Sequence, residues 1–151
     1  MYRRLLYTVT LFALLAAPAA ADKKKIVPPD WAPKPGAPPA RFSPGILVDG
    51  TLYISGQMGS DVKTGEFPDN FEDEVKQALN NVGAVLKAAG MTFEDAVSVT
   101  IYLSDMDLFQ RMNTVYLTYF KEPLPTRSTV GVAKLASPKG HIEITVTAHK
   151  P

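Results

Sequence analysis

Two stretches near the C-terminal end alternate apolar and polar residues, and they constrain the fold more than any other feature. In His141–His149, Ile142, Ile144, Val146 and Ala148 make one face, and His141, Glu143, Thr145 and Thr147 the other. In Thr126–Val132, Ser128, Val130 and Val132 share a face opposite Arg127, Thr129 and Gly131. Period-two alternation is the mark of half-buried strands. The two stretches therefore predict a hairpin with one apolar face on a core. In that arrangement Arg127 and Glu143 emerge together on the polar face. Such a pair is commonly a solvated cross-strand contact contributing roughly 0.2–1 kcal/mol. It is also the best chemical lead in the chain.

The other end reads differently. Tyr2-Arg3-Arg4 is a positive lead, Leu5 to Ala17 is mostly apolar, and Ala19-Ala20-Ala21 offers a small-residue cleavage pattern. Residues 1–21 therefore predict a signal peptide, with Asp22 as the first mature residue and the bacterial periplasm as the destination. The apolar run falls short of the about 20 residues a spanning helix needs, so no stable membrane anchor is expected after cleavage. An uncleaved anchor is the alternative. The chain has no cysteine, which excludes disulfides, a thiolate nucleophile and cysteine-ligated metal. Of the 16 lysines and arginines, Arg3 and Arg4 would leave with the signal, so the remainder carries one more acidic than basic group. A nearly neutral domain gives no electrostatic reason to expect nucleic-acid binding.

Residues 22–40 carry prolines at 28, 29, 33, 35, 38 and 39. Proline fixes φ and lacks an amide donor, so this stretch predicts an extended, polyproline-like arm without regular secondary structure. Trp31 sits alone within it, and the sequence leaves open whether it docks or is exposed. Residues 41–151 are long enough for one domain with a single core.

Within that domain, Ile46–Val48 and Thr51–Gln57 flank Asp49-Gly50, a type I′ hairpin signal. Asp69 with Glu72 predicts the start of a helix whose apolar stripe runs from Phe71 through Val75, Leu79, Val82 and Leu86, ending at Gly90. Thr92 and Asp95 read as a short capped turn, Val97–Leu103 as a strand, and Asp105 as the cap of a second helix stopped by Pro123. The order ββαβαββ predicts an α+β domain, with a mixed, largely antiparallel sheet and two helices on one face. Tyr53, Ser55, Gln57, Tyr102, Thr129 and Thr145 are then expected on the other face. They are semi-polar and uncharged, which suits a subunit interface better than open water.

These segments together resemble the RidA/YjgF family of reactive-intermediate enamine/imine deaminases, formerly labelled endoribonuclease L-PSP. The resemblance spans Arg41 to Ala148. It rests on Ile54-Ser55-Gly56-Gln57, Asn80-Asn81-Val82 with Ala88-Ala89-Gly90, Asn113-Thr114-Val115-Tyr116 with Phe120, Pro125-Thr126-Arg127-Ser128, and Ile142-Glu143-Ile144. It implies a chorismate-mutase-like fold, a homotrimer, and clefts between subunits that act on small 2-imino acids. By the same resemblance, Arg127 grips the substrate carboxylate and Glu143 positions or activates the water. Phe42, Ser55, Gly56, Asn113 and Thr129 are implied to line the substrate site.

The chain departs from the family pattern in places. Phe42 stands where a tyrosine is usual, Thr129 where a cysteine is common, and Thr145 where a second glutamate often follows. The stretch between Leu135 and Glu143 is one residue longer than usual. The implied chemistry needs a water aimed at the C=N carbon and a proton route to nitrogen. A carboxylate partly withdrawn from water can serve both steps, and arginine holds a carboxylate bidentately. No metal or organic cofactor is required. His141 and His149 alone make a poor metal site. The alternative is a non-catalytic module that captures small carboxylated metabolites in the periplasm. Ribonuclease action would need a basic groove or a histidine pair, and neither is legible.

Overall fold

The computed structural model describes residues 22–33 and 35–151. The expected signal peptide, residues 1–21, lies outside the described residues. Strands β1 (Lys24–Ile26), β2 (Gly45–Val48), β3 (Thr51–Met58), β4 (Ala96–Leu103), β5 (Thr126–Gly131) and β6 (Ile142–His149) form one sheet in the order β1-β2-β3-β6-β4-β5. Helices α1 (Phe71–Ala88) and α2 (Phe109–Tyr116) accompany them. The class is α+β, with a mixed, mostly antiparallel sheet, as the pattern of elements predicts. Only β4 and β5 run parallel among the described strands.

The core lies between sheet and helices. Leu52, Ile54, Val99, Ile101, Leu103, Ile142, Ile144 and Val146 point from the sheet toward Val75, Leu79, Val82 and Leu86 of α1 and Met112 and Val115 of α2. Burying one such side chain contributes roughly 1.5–3 kcal/mol, so the two apolar patterns hold each other in place. Local signals fix the joints. Asp49 and Gly50 both have positive φ, as a type I′ turn requires. Gly90 takes the left-handed conformation just beyond α1. A reciprocal cap between Thr92 and Asp95 closes the short 3-10 turn before β4. The α1 cap falls one residue later than the sequence predicts: the Asn70 side chain, not Asp69, accepts from the Asp73 amide. Glu72 is thereby free to pair with Arg111 of α2.

Three further expectations are corrected. First, β5 does not form a hairpin with β6. Because α2 lies between β4 and β5 in the chain, the three close as a β-α-β unit with parallel strands, and β6 inserts between β3 and β4. Second, the faces of β5 are reversed. Arg127, Thr129 and Gly131 sit opposite Val99, Ile101 and Leu103, which face the helices, whereas Val130 sits opposite Tyr102 and is 43% exposed. An edge strand only partly covered by the helix layer has no need of an apolar inner face. Third, the arm is not wholly irregular. Lys24, Lys25 and Ile26 precede the first proline, keep their amides, and pair antiparallel with β2.

A register shift in β3 between Ile54 and Gln57 also turns Gln57 inward, where it is buried. Gln57 and Thr129 therefore leave the open face, which keeps Tyr53, Tyr102, Thr145 and Val130.

Candidate active site

The irregularity in β3 creates the site. At a bulge the strand bends and its side chains are re-aimed; here Ser55 and Gly56 are left without register partners in β6. Ser55 donates from its amide and hydroxyl to the Pro44 carbonyl, at 3.0 and 3.2 Å, and Gln57 Nε2 donates to the Ser55 carbonyl at 2.9 Å. These bonds hold the bulge rigid. Met58 pairs with Glu143 across to β6. The Glu143 carboxylate then lies directly against Gly56, in the space a Cβ at that position would occupy. Glycine at 56 is thus a requirement of close approach.

The start of β6 is fixed from the other side. Glu74 of α1 is 1% exposed and accepts from the His141 amide at 2.6 Å, His141 Nδ1 at 2.8 Å and the Ile142 amide at 3.3 Å. A buried carboxylate satisfied in this way anchors the residue next to Glu143.

A cleft of about 720 Å³ opens over this point, lined by Ser55, Gly56 and Glu143 together with Phe42, Arg41 and Trp31. Four of the residues singled out from the sequence therefore meet: Phe42, Ser55, Gly56 and Glu143. The other three do not line it. Arg127 reaches toward α2, with its guanidinium 4.6 Å from the centre of the Tyr116 ring and 5.8 Å from that of Phe109. Cation–π contact of this kind holds the fork in place. Thr129 lies two residues along the same face of β5, its hydroxyl buried without a hydrogen-bond partner. Asn113, half-buried, lies four residues from Phe109 and three from Tyr116, so it shares their side of α2. Burial pushes the Tyr116 hydroxyl above its usual range, and the Arg127 charge offsets part of that rise.

Within one chain the candidate residues thus form two groups on opposite faces of the sheet. Sequence reasoning missed Arg41, Lys25 and the cleft contribution of Trp31. A lone tryptophan in a proline-rich stretch and an arginine adjoining Phe42 were the available signals. Among the described residues, no three histidine, aspartate or glutamate side chains are grouped to hold a metal ion. Nor is any helix among them long and apolar enough to cross a membrane.

The arrangement has counterparts in known proteins. The model of the endoribonuclease L-PSP family matches residues 33–150. A 2-iminobutanoate/2-iminopropanoate deaminase of Rattus norvegicus is 45% identical over 109 residues, 71% of this chain and 78% of that protein. The crystal structure of RidA from an Antarctic Psychrobacter superposes with a TM-score of 0.73 at 34% identity, covering 84% of this chain and 99% of that one. That of E. coli TdcF with bound serine gives 0.74 at 31% identity, covering 85% and 100%. The chain belongs to the endoribonuclease L-PSP family, which includes the RidA proteins.

Proposed function

We propose that the chain hydrolyses 2-imino and 2-enamino acids to 2-oxo acids and ammonia, in a cleft completed by a neighbouring subunit. The observation that carries the reading is the Glu143 carboxylate set against Gly56 at the floor of the cleft. The printed activity of the rat relative supports it. Water oxygen attacks the imine carbon while Glu143 takes the water's proton. The C=N π pair moves to nitrogen, which is protonated to give a carbinolamine. The C–N bond then breaks, ammonia leaves, and the hydroxyl surrenders its proton as C=O forms. One carboxylate can carry both transfers.

Arg127 grips the substrate carboxylate in this scheme, and it does so from another copy of the chain. Its position on the opposite face from Glu143 supports that reading, because no rotamer change carries a side chain through a sheet. The open face supports it too. Tyr53 is 53% exposed there, and on the same face the half-buried Tyr102 adjoins the exposed Val130, a surface suited to association. A homotrimer is the proposed assembly. The lead, apolar run and small-residue pattern of residues 2–21 support export to the periplasm, with the mature chain starting at Asp22.

Imines generated from several amino acids by an oxidase, then followed with and without the purified protein, test the activity. Accelerated loss of imine is expected. Binding of 2-oxo acids with no turnover would instead make the protein a capture module. N-terminal sequencing of the periplasmic fraction tests export, and an intact Met1 form in the membrane would refute it.

A further inference from the structure

The cleft has a polar end and an apolar body, and the apolar body is built by the N-terminal arm. Pairing of β1 with β2 fixes where the arm starts. The chain then turns at Pro28–Trp31, where the Trp31 amide donates to the Pro28 carbonyl at 2.9 Å. Proline at 28 and 29 limits the backbone to this path, and Trp31 packs half-buried against the core. The outgoing limb thus presents Val27, Trp31 and Pro33 to the cleft, and the returning limb presents Phe42. Val62, from the loop after β3, lines it as well. Ser55, Gly56 and Glu143 supply the polar end, and Lys25, Arg41 and Asp61 add charged groups to the lining.

A volume of about 720 Å³ lies within the roughly 300–1,000 Å³ of pockets that hold drug-sized ligands. A three- or four-carbon imino acid fills only part of the cleft of a single chain, before the neighbouring subunit takes its share. Building on the imine-hydrolysis reading, we infer that the arm forms a side-chain subsite, with Trp31 as its specificity-determining wall, that selects 2-imino acids with bulky apolar side chains, branched or aromatic. The imino carbon sits at Glu143 and the side chain lies along Trp31 and Val62. An apolar wall discriminates by the area it covers. Packing of Trp31 against the core holds that wall in place before substrate arrives.

The test compares kcat/KM for imines derived from alanine, leucine and phenylalanine, using the full exported protein, Trp31→Ala and Val62→Lys. Val62 is 45% exposed, so its replacement leaves the fold intact even if Trp31→Ala does not. Wild type should favour the leucine- and phenylalanine-derived imines. Each folded variant should lower their preference over the alanine-derived imine by about 10-fold or more. A wild-type preference for the alanine-derived imine, or an unchanged ratio in folded Val62→Lys, overturns the subsite and leaves imine hydrolysis standing.

A second readout is independent of turnover. Trp31 is the chain's single tryptophan, so its emission reports on the cleft directly. Titration with 4-methyl-2-oxopentanoate should shift that emission at lower concentration than pyruvate does. If no imine is hydrolysed yet this order holds, the hydrolysis reading fails while the apolar subsite stands as a ligand site. Equal or absent shifts overturn the subsite.

Discussion

Gly56 and Glu143 depend on one another. The carboxylate occupies the volume that any side chain at 56 would take, so Gly56→Ala should displace it without unfolding the sheet. Misplacement of a reacting group by about 1 Å can cost 10²-fold, and kcat for imine hydrolysis should fall by about that much. Glu143→Gln keeps shape and hydrogen bonding but cannot take a proton. Turnover should drop about 10²–10⁴-fold, with 2-oxo acid binding largely kept. Steady-state kinetics beside a binding titration separates the two effects. Wild-type rates in a folded Glu143→Gln variant would leave the carboxylate without a chemical role.

At the scale of elements, helix α1 anchors a strand whose Glu143 lies on the opposite side of the sheet. Glu74 holds the first residues of β6, and removing it leaves the His141 and Ile142 amides without their acceptor. Each buried unsatisfied donor costs about 1–3 kcal/mol. Glu74→Ala should therefore lower the thermal midpoint clearly, and more than Glu74→Gln, as calorimetry would register. The tie between helices is different in kind. Arg111 grips Glu72 with two bonds of 2.7 Å, and that hydrogen bonding holds the carboxyl at about 2, below its ordinary 4.5. A depressed carboxylate contributes stability above its unfolded value that is lost as pH falls through the folded one. The stability gap between wild type and Glu72→Gln should therefore be present near neutrality and close on acidification from about pH 4.5 toward 2. A gap that is constant with pH would show that the pair does not act through charge.

The same scale explains what could be read in advance. The β2–β3 turn, α1, the Thr92 cap, β4 and β6 were legible because each is written in local chemistry: Asp-Gly, the helical stripe, a reciprocal cap, strict alternation. β5 was not. Its residues alternate equally well on either face, and only pairing with β4 decides which side meets the helices. Parity alone therefore places Arg127 on the wrong face, although its residue type and motif single it out. The bulge at Ser55–Gly56 is silent for a related reason, since a register shift leaves the composition of a strand unchanged. β1 was hidden by the prolines that follow it. Its three residues gain their structure from β2 and not from their own propensity.

The whole molecule must reconcile two groups of residues that one chain keeps apart. If Glu143 and Arg127 act on one substrate, each site takes its glutamate from one copy and its arginine from the next, as a cyclic assembly with head-to-tail contacts allows. Light scattering should then give a mass near three times the protomer's. The decisive test is complementation. Glu143→Gln and Arg127→Ala chains, each inactive as a pure assembly, should regain activity when co-expressed. A mixed trimer contains sites where an intact Glu143 from one chain meets an intact Arg127 from the other. Random mixing at equal amounts restores about a quarter of the sites, so activity should recover to about that fraction of wild type. Were both residues to serve a site within one chain, every site in the mixture would still lack one of them. Mixed trimers with no regained activity would place the carboxylate grip elsewhere, and Arg41, which already lines the Glu143 cleft, would be the residue to replace next.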